Sequence, residues 1–286
     1  MRRATSRKSD STPGGYWMRS LFREIFIAPR PIIGMIALPS LNGYPEFAGI
    51  EAIVERAIGD LQVLQEGGVD GVCVENDYDR PHQLIVGPEI VSSFTKIAQE
   101  VALNAKVPVG LQVLLNDWRA SLSIAKVIAA QFVRLDFFVD KVRIQAGIIE
   151  PQPQAILAYR KELGAKGIAL FTDVQVKHSE LLEPGKSLST SIHQAIAHNS
   201  DAIVISGKIT GDAPTLEDLR EARAAAGNFP ILIGSGATPQ NVRELFQYAD
   251  GAIVGTAFKN GMGAEDRVVL ERVKDFINAR TKVRAP

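Results

Sequence analysis

Ionisable side chains stand where short apolar runs end. Glu75 closes the run 71–75, Arg134 and Asp136 close 132–136, and Asp173 closes 168–173, with Lys177 and His178 just beyond. If those runs are strands of one sheet, all of these groups face a common mouth. Acids beside bases in a partly buried setting shift one another's pKa values, which suits proton transfer. Glu75 and Asp173 are then candidate bases, and Lys177 and His178 candidate electrophiles. A structural ion-pair ring at the rim is the competing reading. Glu75, Asp136 and Asp173 with His178 would also accommodate Mg²⁺ or another hard divalent ion. No HxxxH or HExxH spacing supports zinc, so no metal ligand is assigned. Arg134 and the loop residues Asn76, Asn116, Asp117, Gly207, Thr210 and Gly211 are candidate ligand contacts. Lys208 has the chemistry for a Schiff base, although a solvated loop lysine is the simpler reading.

A second pattern is made of small residues. Gly234-Ser235-Gly236 and Gly255-Thr256 end the last two apolar runs. Small residues let the backbone approach a ligand, and clustered N–H groups can hold a dianion. Phosphate is the expected ligand, because barrels of alternating strands and helices favour the loops after strands seven and eight for it. Two tight turns without a ligand are the alternative.

The elements that would position these groups follow a regular alternation. Strands are predicted at 32–38, 71–75, 107–113, 132–135, 168–173, 202–206, 231–233 and 252–254. Helical periodicity fills 51–66, 87–105, 117–130, 153–163, 188–198, 215–226, 239–248 and 264–279. Near-continuously apolar strands indicate burial on both faces, and eight βα units favour closure. The predicted fold is a single (β/α)₈ TIM barrel over residues 30–286. Residues 1–29 form a basic tail, disordered over its first fifteen residues, and a short helix at 16–27. Trp17, Leu21 and Ile25 repeat at helical spacing. Such a helix plugs the bottom of the barrel or, less readily, lies on a membrane surface. Met18 is read as the working start, in preference to a transit peptide. Pro31, Pro108 and Pro230 mark strand entries, Thr238-Pro239 marks a helix start, and Thr215 with Asp218 has capping-box spacing.

Bulk properties narrow the function classes. Of 286 residues 46% are hydrophobic, and 32 basic residues balance 32 acidic ones, so no overall basic field attracts nucleic acid. Charge is uneven: seven basic residues and two acidic ones fall within residues 1–30. The single cysteine, Cys73, excludes an intrachain disulfide, fits a reducing compartment and reads as a packing residue. No apolar run reaches the roughly 20 residues of a membrane span. The expected location is cytoplasmic, with peripheral attachment to a thylakoid or cytoplasmic membrane face as the alternative.

Long motifs in fixed order carry a family resemblance. The matches run from about Pro31 to Phe276 and include IIGMIALP, GGVDGVCVEN, LLND, QAGIIE, TDVQVKH, SGKITG, GSGATPQN and DGAIVGTAFK. On these the chain resembles the BtpA/SgcQ family of ribulose-phosphate-binding-like barrels. The resemblance implies a TIM barrel that binds a phosphorylated small molecule and self-associates. It links one branch to photosystem I biogenesis and another to sugar-phosphate operons. It also exposes departures: Ala37 and Gln175 stand where the family carries histidine, and Gln145-Ala146 stand where it carries Asp-Gln. These were expected at the mouth, which implies a retained anion site with altered chemistry. Three functions follow: an isomerase, lyase or aldolase acting on a sugar phosphate, a non-catalytic factor in photosystem I biogenesis, or a phosphate-binding sensor without turnover.

Overall fold

The computed structural model describes residues 21–176, 178–207 and 211–281. The expectations for the tail, Trp17, Met18, Lys177, Lys208 and Thr210 therefore lie outside the described residues.

After helix α1 (Leu21–Ile25) the chain alternates strands and helices. It runs through β1 (Ile32–Ala37), α2 (Ile50–Gly67), β2 (Gly71–Glu75), α3 (Pro88–Asn104), β3 (Val109–Gln112), α4 (Trp118–Ile128) and β4 (Phe132–Leu135). A small excursion follows, β5 (Val142–Ile144) and β6 (Gly147–Ile149). The alternation then resumes with α5 (Pro153–Glu162), β7 (Ala169–Asp173), the short β8 (Glu180–Leu181), α6 (Leu188–Ala197), β9 (Ala202–Ile205) and α7 (Leu216–Ala226). It closes with β10 (Ile231–Ile233), α8 (Val242–Leu245), β11 (Gly251–Val254), a 3-10 helix (Thr256–Phe258) and α9 (Leu270–Thr281). Eight parallel strands close in the order β1-β11-β10-β9-β7-β4-β3-β2. This is the (β/α)₈ barrel that the sequence predicts.

Alternation along each strand divides the core in two. Outward residues such as Ile32, Val72, Leu111 and Val133 pack against the helices. Inward residues Ile33, Met35, Cys73, Phe132, Phe171, Val204, Leu232 and Ile253 fill the barrel itself. Gly110 faces the Phe132 ring so closely that a Cβ there would lie 2.0 Å from it. Phe132 and Phe171 stack with centroids 4.5 Å apart. The entry prolines use the one backbone group they have: the carbonyls of Pro31, Pro108 and Pro230 accept from Ala252, Val72 and Ile203 on neighbouring strands.

Helix α1 closes the bottom, as expected of a plug, but with a different face. Phe22 and Phe26 are buried against Phe171 and Phe132, while Leu21 and Ile25 are only partly covered. The aromatic pair wins because two rings fill the wide lower opening better than two aliphatic chains.

Three local expectations change. The hairpin β5–β6 and strand β8 form a separate antiparallel sheet that short, mixed segments gave no period to announce. The helix expected at 239–248 shrinks to Val242–Leu245. Asn241 accepts from the Thr238 N–H and donates to the Gly236 carbonyl, so residues 238–241 form a turn rather than a capped helix start. The last helix starts at Leu270, because 260–267 is a tight loop in which Asp266 accepts from Gly263 and Asn260 from Arg267. Thr215 and Asp218 do form the reciprocal capping box. Among the described residues no helix is long and apolar enough to cross a membrane.

The plug carries a measurable prediction. Phe22→Ala opens a cavity beneath Phe171 and should cost about 3–5 kcal/mol of unfolding free energy, read by urea denaturation.

Candidate functional site

The alternation that fills the barrel also sets its upper layer. Two residues above Cys73 stands Glu75; above Gly110, Gln112; above Phe132, Arg134; above Phe171, Asp173; above Val204, Ser206; above Leu232, Gly234; above Ile253, Gly255. These positions lie at the C-terminal strand ends, where barrels of this kind place their chemistry.

The centre of this layer is an ion pair. Arg134 Nε and Nη2 donate to Asp173 Oδ2 and Oδ1, each at 2.8 Å. The Asp173 side chain is fully buried and that of Arg134 is 6% exposed. Ser206 Oγ donates to the same Asp173 oxygen at 3.1 Å, and Asp136 lies 3.9 Å from Arg134 Nε. Burial alone would lower the Arg134 pKa, but Asp173, with Asp136 and Glu75 behind it, outweighs burial and raises it. The guanidinium is therefore permanently charged. Asp173 was expected to be a base; the structure places its oxygens on Arg134 and Ser206. Among the described residues no three acidic, histidine or cysteine side chains converge on a metal position. Burial, followed by Glu75, pushes the Cys73 thiol up and leaves it inert below the charged layer.

Around this centre the mouth is divided. Glu75, half-buried at the end of β2, pairs in register with Gln112 on β3. Gln112 Nε2 donates to Asp136 Oδ1 at 2.7 Å. Its Oε1 is buried and accepts no hydrogen bond from any described residue. Sequence reading passed over Gln112 because the third strand was run on to 113 and its exit sought at Asn116-Asp117. The available signal was a polar residue closing VGLQ, two positions above an inward glycine.

The asparagines and Asp117 have a different task. Asn76 donates to Asp79 and accepts from the Leu114 N–H. Asn116 clasps Phe137 through both amide atoms, and Asp117 caps α4 while accepting from the Val86 N–H. These residues fasten the mouth loops to one another.

The glycine loops interlock as well. A Cβ on Gly234 would lie 2.5 Å from Ser206 Oγ and 3.1 Å from Arg134 Nη2. A Cβ on Gly236, whose φ is +68°, would strike the backbone at Asp212 and Ala213, and one on Gly207 would strike the Asp212 carbonyl. Ser235 Oγ accepts from the Gly207 N–H and donates to the Asp212 carbonyl. Gly207 and Gly236 are thus required by the crossing backbone, and Gly234 by packed side chains. Gly211, also at positive φ, is exposed. Strands β10 and β11 are neighbours, so Gly234-Ser235-Gly236 and Gly255-Thr256 form adjacent rims. Among the described residues, no backbone carbonyl accepts from the Gly236 or Thr256 N–H.

The loop after β7 is pinned from the side. Asp140 accepts from the Gln175 N–H, Ser191 Oγ and Lys186 Nζ. Burial alone would lower the Lys186 pKa, but Glu183 and Asp140 outweigh it and raise it. Gln175 turns its amide toward Lys186 and Ser191, away from the mouth, and Gln145-Ala146 lie exposed on the β5–β6 hairpin. Of the departures from the family pattern, only Ala37 stands in the upper layer, in register with Glu75. His178 is exposed on the same loop.

Comparison with known proteins agrees with this architecture. The profile of the BtpA family matches residues 28–282. The photosystem I biogenesis protein BtpA of Synechocystis sp. is 36% identical over 259 residues, 90% of either chain. An uncharacterized protein of Pyrococcus furiosus is 32% identical, over 91% of this chain and 98% of its own. An uncharacterized mitochondrial protein of Caenorhabditis elegans is 33% identical, over 91% and 96%. Among solved structures, geranylgeranylglyceryl phosphate synthase of Thermoplasma acidophilum in complex with sn-glycerol-1-phosphate superposes with a TM-score of 0.60 at 13% identity, over 91% of this chain and 96% of that one. Phosphoribosylanthranilate isomerase of Pyrococcus furiosus gives 0.54 at 14%, over 89% and 100%. At these identities the likeness to both structures is one of fold.

Removing one member of the central pair strands the other. Arg134→Met should destabilise by about 3–5 kcal/mol, and the double variant Arg134→Met/Asp173→Leu should recover most of that loss in urea unfolding.

Proposed function

Because the chain belongs to the BtpA family, we propose that it binds a phosphorylated small molecule across the barrel mouth and moves a proton on it. The observation that carries this reading is the pair of adjacent rims on β10 and β11, whose Gly236 and Thr256 N–H groups donate to no backbone carbonyl among the described residues. Two backbone donors on adjacent rims, in place of side chains, suit a phosphate, which accepts several charge-assisted hydrogen bonds at once. The solved barrels of like fold include proteins named for phosphorylated substrates, which supports the reading without carrying it.

Glu75 is the proton-transfer group in this reading. It is half-buried at the end of β2, in register with Gln112. Arg134 and Asp173 fix the floor, and Asp136 with Gln112 flanks the base. The reaction class is an isomerisation, a lyase cleavage or an aldol reaction, in each of which a base removes a proton and an acid returns it. A barrel that binds phosphate without turnover is the neighbouring alternative.

A role in assembling photosystem I belongs by name to the Synechocystis relative. Carried over to this chain, it would draw on the basic tail and on an aromatic helix at a membrane surface. Phe22 and Phe26 of that helix are buried beneath the barrel, so the mouth reading has the stronger support. An uncharacterized mitochondrial relative from Caenorhabditis elegans is nearly as similar.

The test is calorimetry with inorganic phosphate and small phosphate esters. Binding should be measurable, and Thr256→Pro, which removes one N–H at a position where helices tolerate proline, should weaken it about 10- to 100-fold. Absence of binding to the unaltered protein at millimolar phosphate would sink the proposal. In a turnover screen over sugar phosphates, Glu75→Gln should lower kcat by about 10²- to 10⁴-fold. Binding without turnover would select the sensor reading.

A further inference from the structure

We infer that Gln112 selects the ligand: its Oε1 accepts a hydrogen bond from a hydroxyl or amine on a phosphate ester whose phosphate lies on the opposite rim. The inference rests on the mouth reading and extends it to the other end of the ligand.

Gln112 closes β3 on the inward face and is 2% exposed. Its amide has one orientation that physics allows. Nε2 points at Asp136 Oδ1, 2.7 Å away, and the flipped amide would set two acceptor oxygens against each other. Oε1 is then a buried acceptor that receives nothing from the described residues. Buried carbonyls are almost always satisfied, and a ligand donor accounts for the one left open at this strand end. The surroundings agree on the sign. Glu75, the register partner of Gln112, and Asp136 are acceptors when ionised, and Arg134 spends one N–H on each of Nε and Nη2 on Asp173. The β2–β4 side therefore asks for donors.

The opposite side asks for an anion. In the closed order β1-β11-β10-β9-β7-β4-β3-β2, strand β3 stands four places from β10 in either direction. Gln112 and the Gly234-Ser235-Gly236 rim thus face each other across the full mouth. A ligand spanning it carries phosphate at one end and a hydroxyl or amine at the other.

The test measures selectivity with methyl phosphate, ribose 5-phosphate and glucosamine 6-phosphate. The unaltered protein should bind the hydroxylated or amino ester at least about tenfold tighter than methyl phosphate, the worth of one hydrogen bond. Gln112→Met should abolish that increment and leave the methyl phosphate affinity unchanged. Gln112→Glu, which keeps an acceptor and adds charge, should favour the amino ester over ribose 5-phosphate more than the unaltered protein does. A purely structural Gln112 would shift all three esters together. Equal affinity for methyl phosphate and both larger esters, or an increment that survives Gln112→Met, would overturn the inference while leaving the phosphate rim standing. Failure of inorganic phosphate and all three esters to bind would overturn the rim and this inference with it.

Discussion

The bidentate contact between Arg134 and Asp173 holds the upper barrel in place. Two charges with almost no exposure are tolerable only when geometry is close to ideal and the remaining lone pairs are used. Both conditions hold, since two 2.8 Å bonds join the pair and Ser206 occupies a further Asp173 lone pair. The pair ties β4 to β7 and, through Ser206, to the exit of β9. Its bulk also dictates a neighbour: Gly234 lacks a side chain because the guanidinium and the Ser206 hydroxyl occupy the space a Cβ would need.

That constraint changes how the glycine loops are understood. Gly207, Gly234 and Gly236 are each demanded by a crossing chain or a packed side chain, with Ser235 as the rivet between them. Crowding makes the rim rigid, and rigidity leaves its N–H groups at fixed positions rather than free to turn toward a substitute partner. The same loops thus serve packing and, in the proposed function, recognition. The excursion after β4 works similarly on the other side, where Asp140 and Lys186 brace the loop that carries Gln175 and His178.

Much of the barrel was legible in the sequence because the strands are apolar on both faces and the helices on one, so period and length distinguish them. What escaped were elements held by single side chains. The 238–241 turn replaces a helix start because of one asparagine amide, and the β5–β6–β8 sheet is built from segments of two or three residues. The plug helix was legible as a plug, but its packing face was not, because Leu21, Phe22, Ile25 and Phe26 all fit an apolar stripe until the aromatic floor of the barrel selects two of them.

The sequence by itself determined the eight-strand closure, the family and the convergence of Glu75, Arg134, Asp136 and Asp173 at one mouth, since these follow from strand order and strand ends. Only the tertiary structure decided what each group does there. It spent Asp173 on Arg134 and the asparagines on loop clasps, turned Gln175 away, and left Gln112 with an open acceptor. The physical reason is that strand position fixes where a side chain starts, whereas its function depends on which partners, often far along the chain, satisfy its hydrogen bonds first.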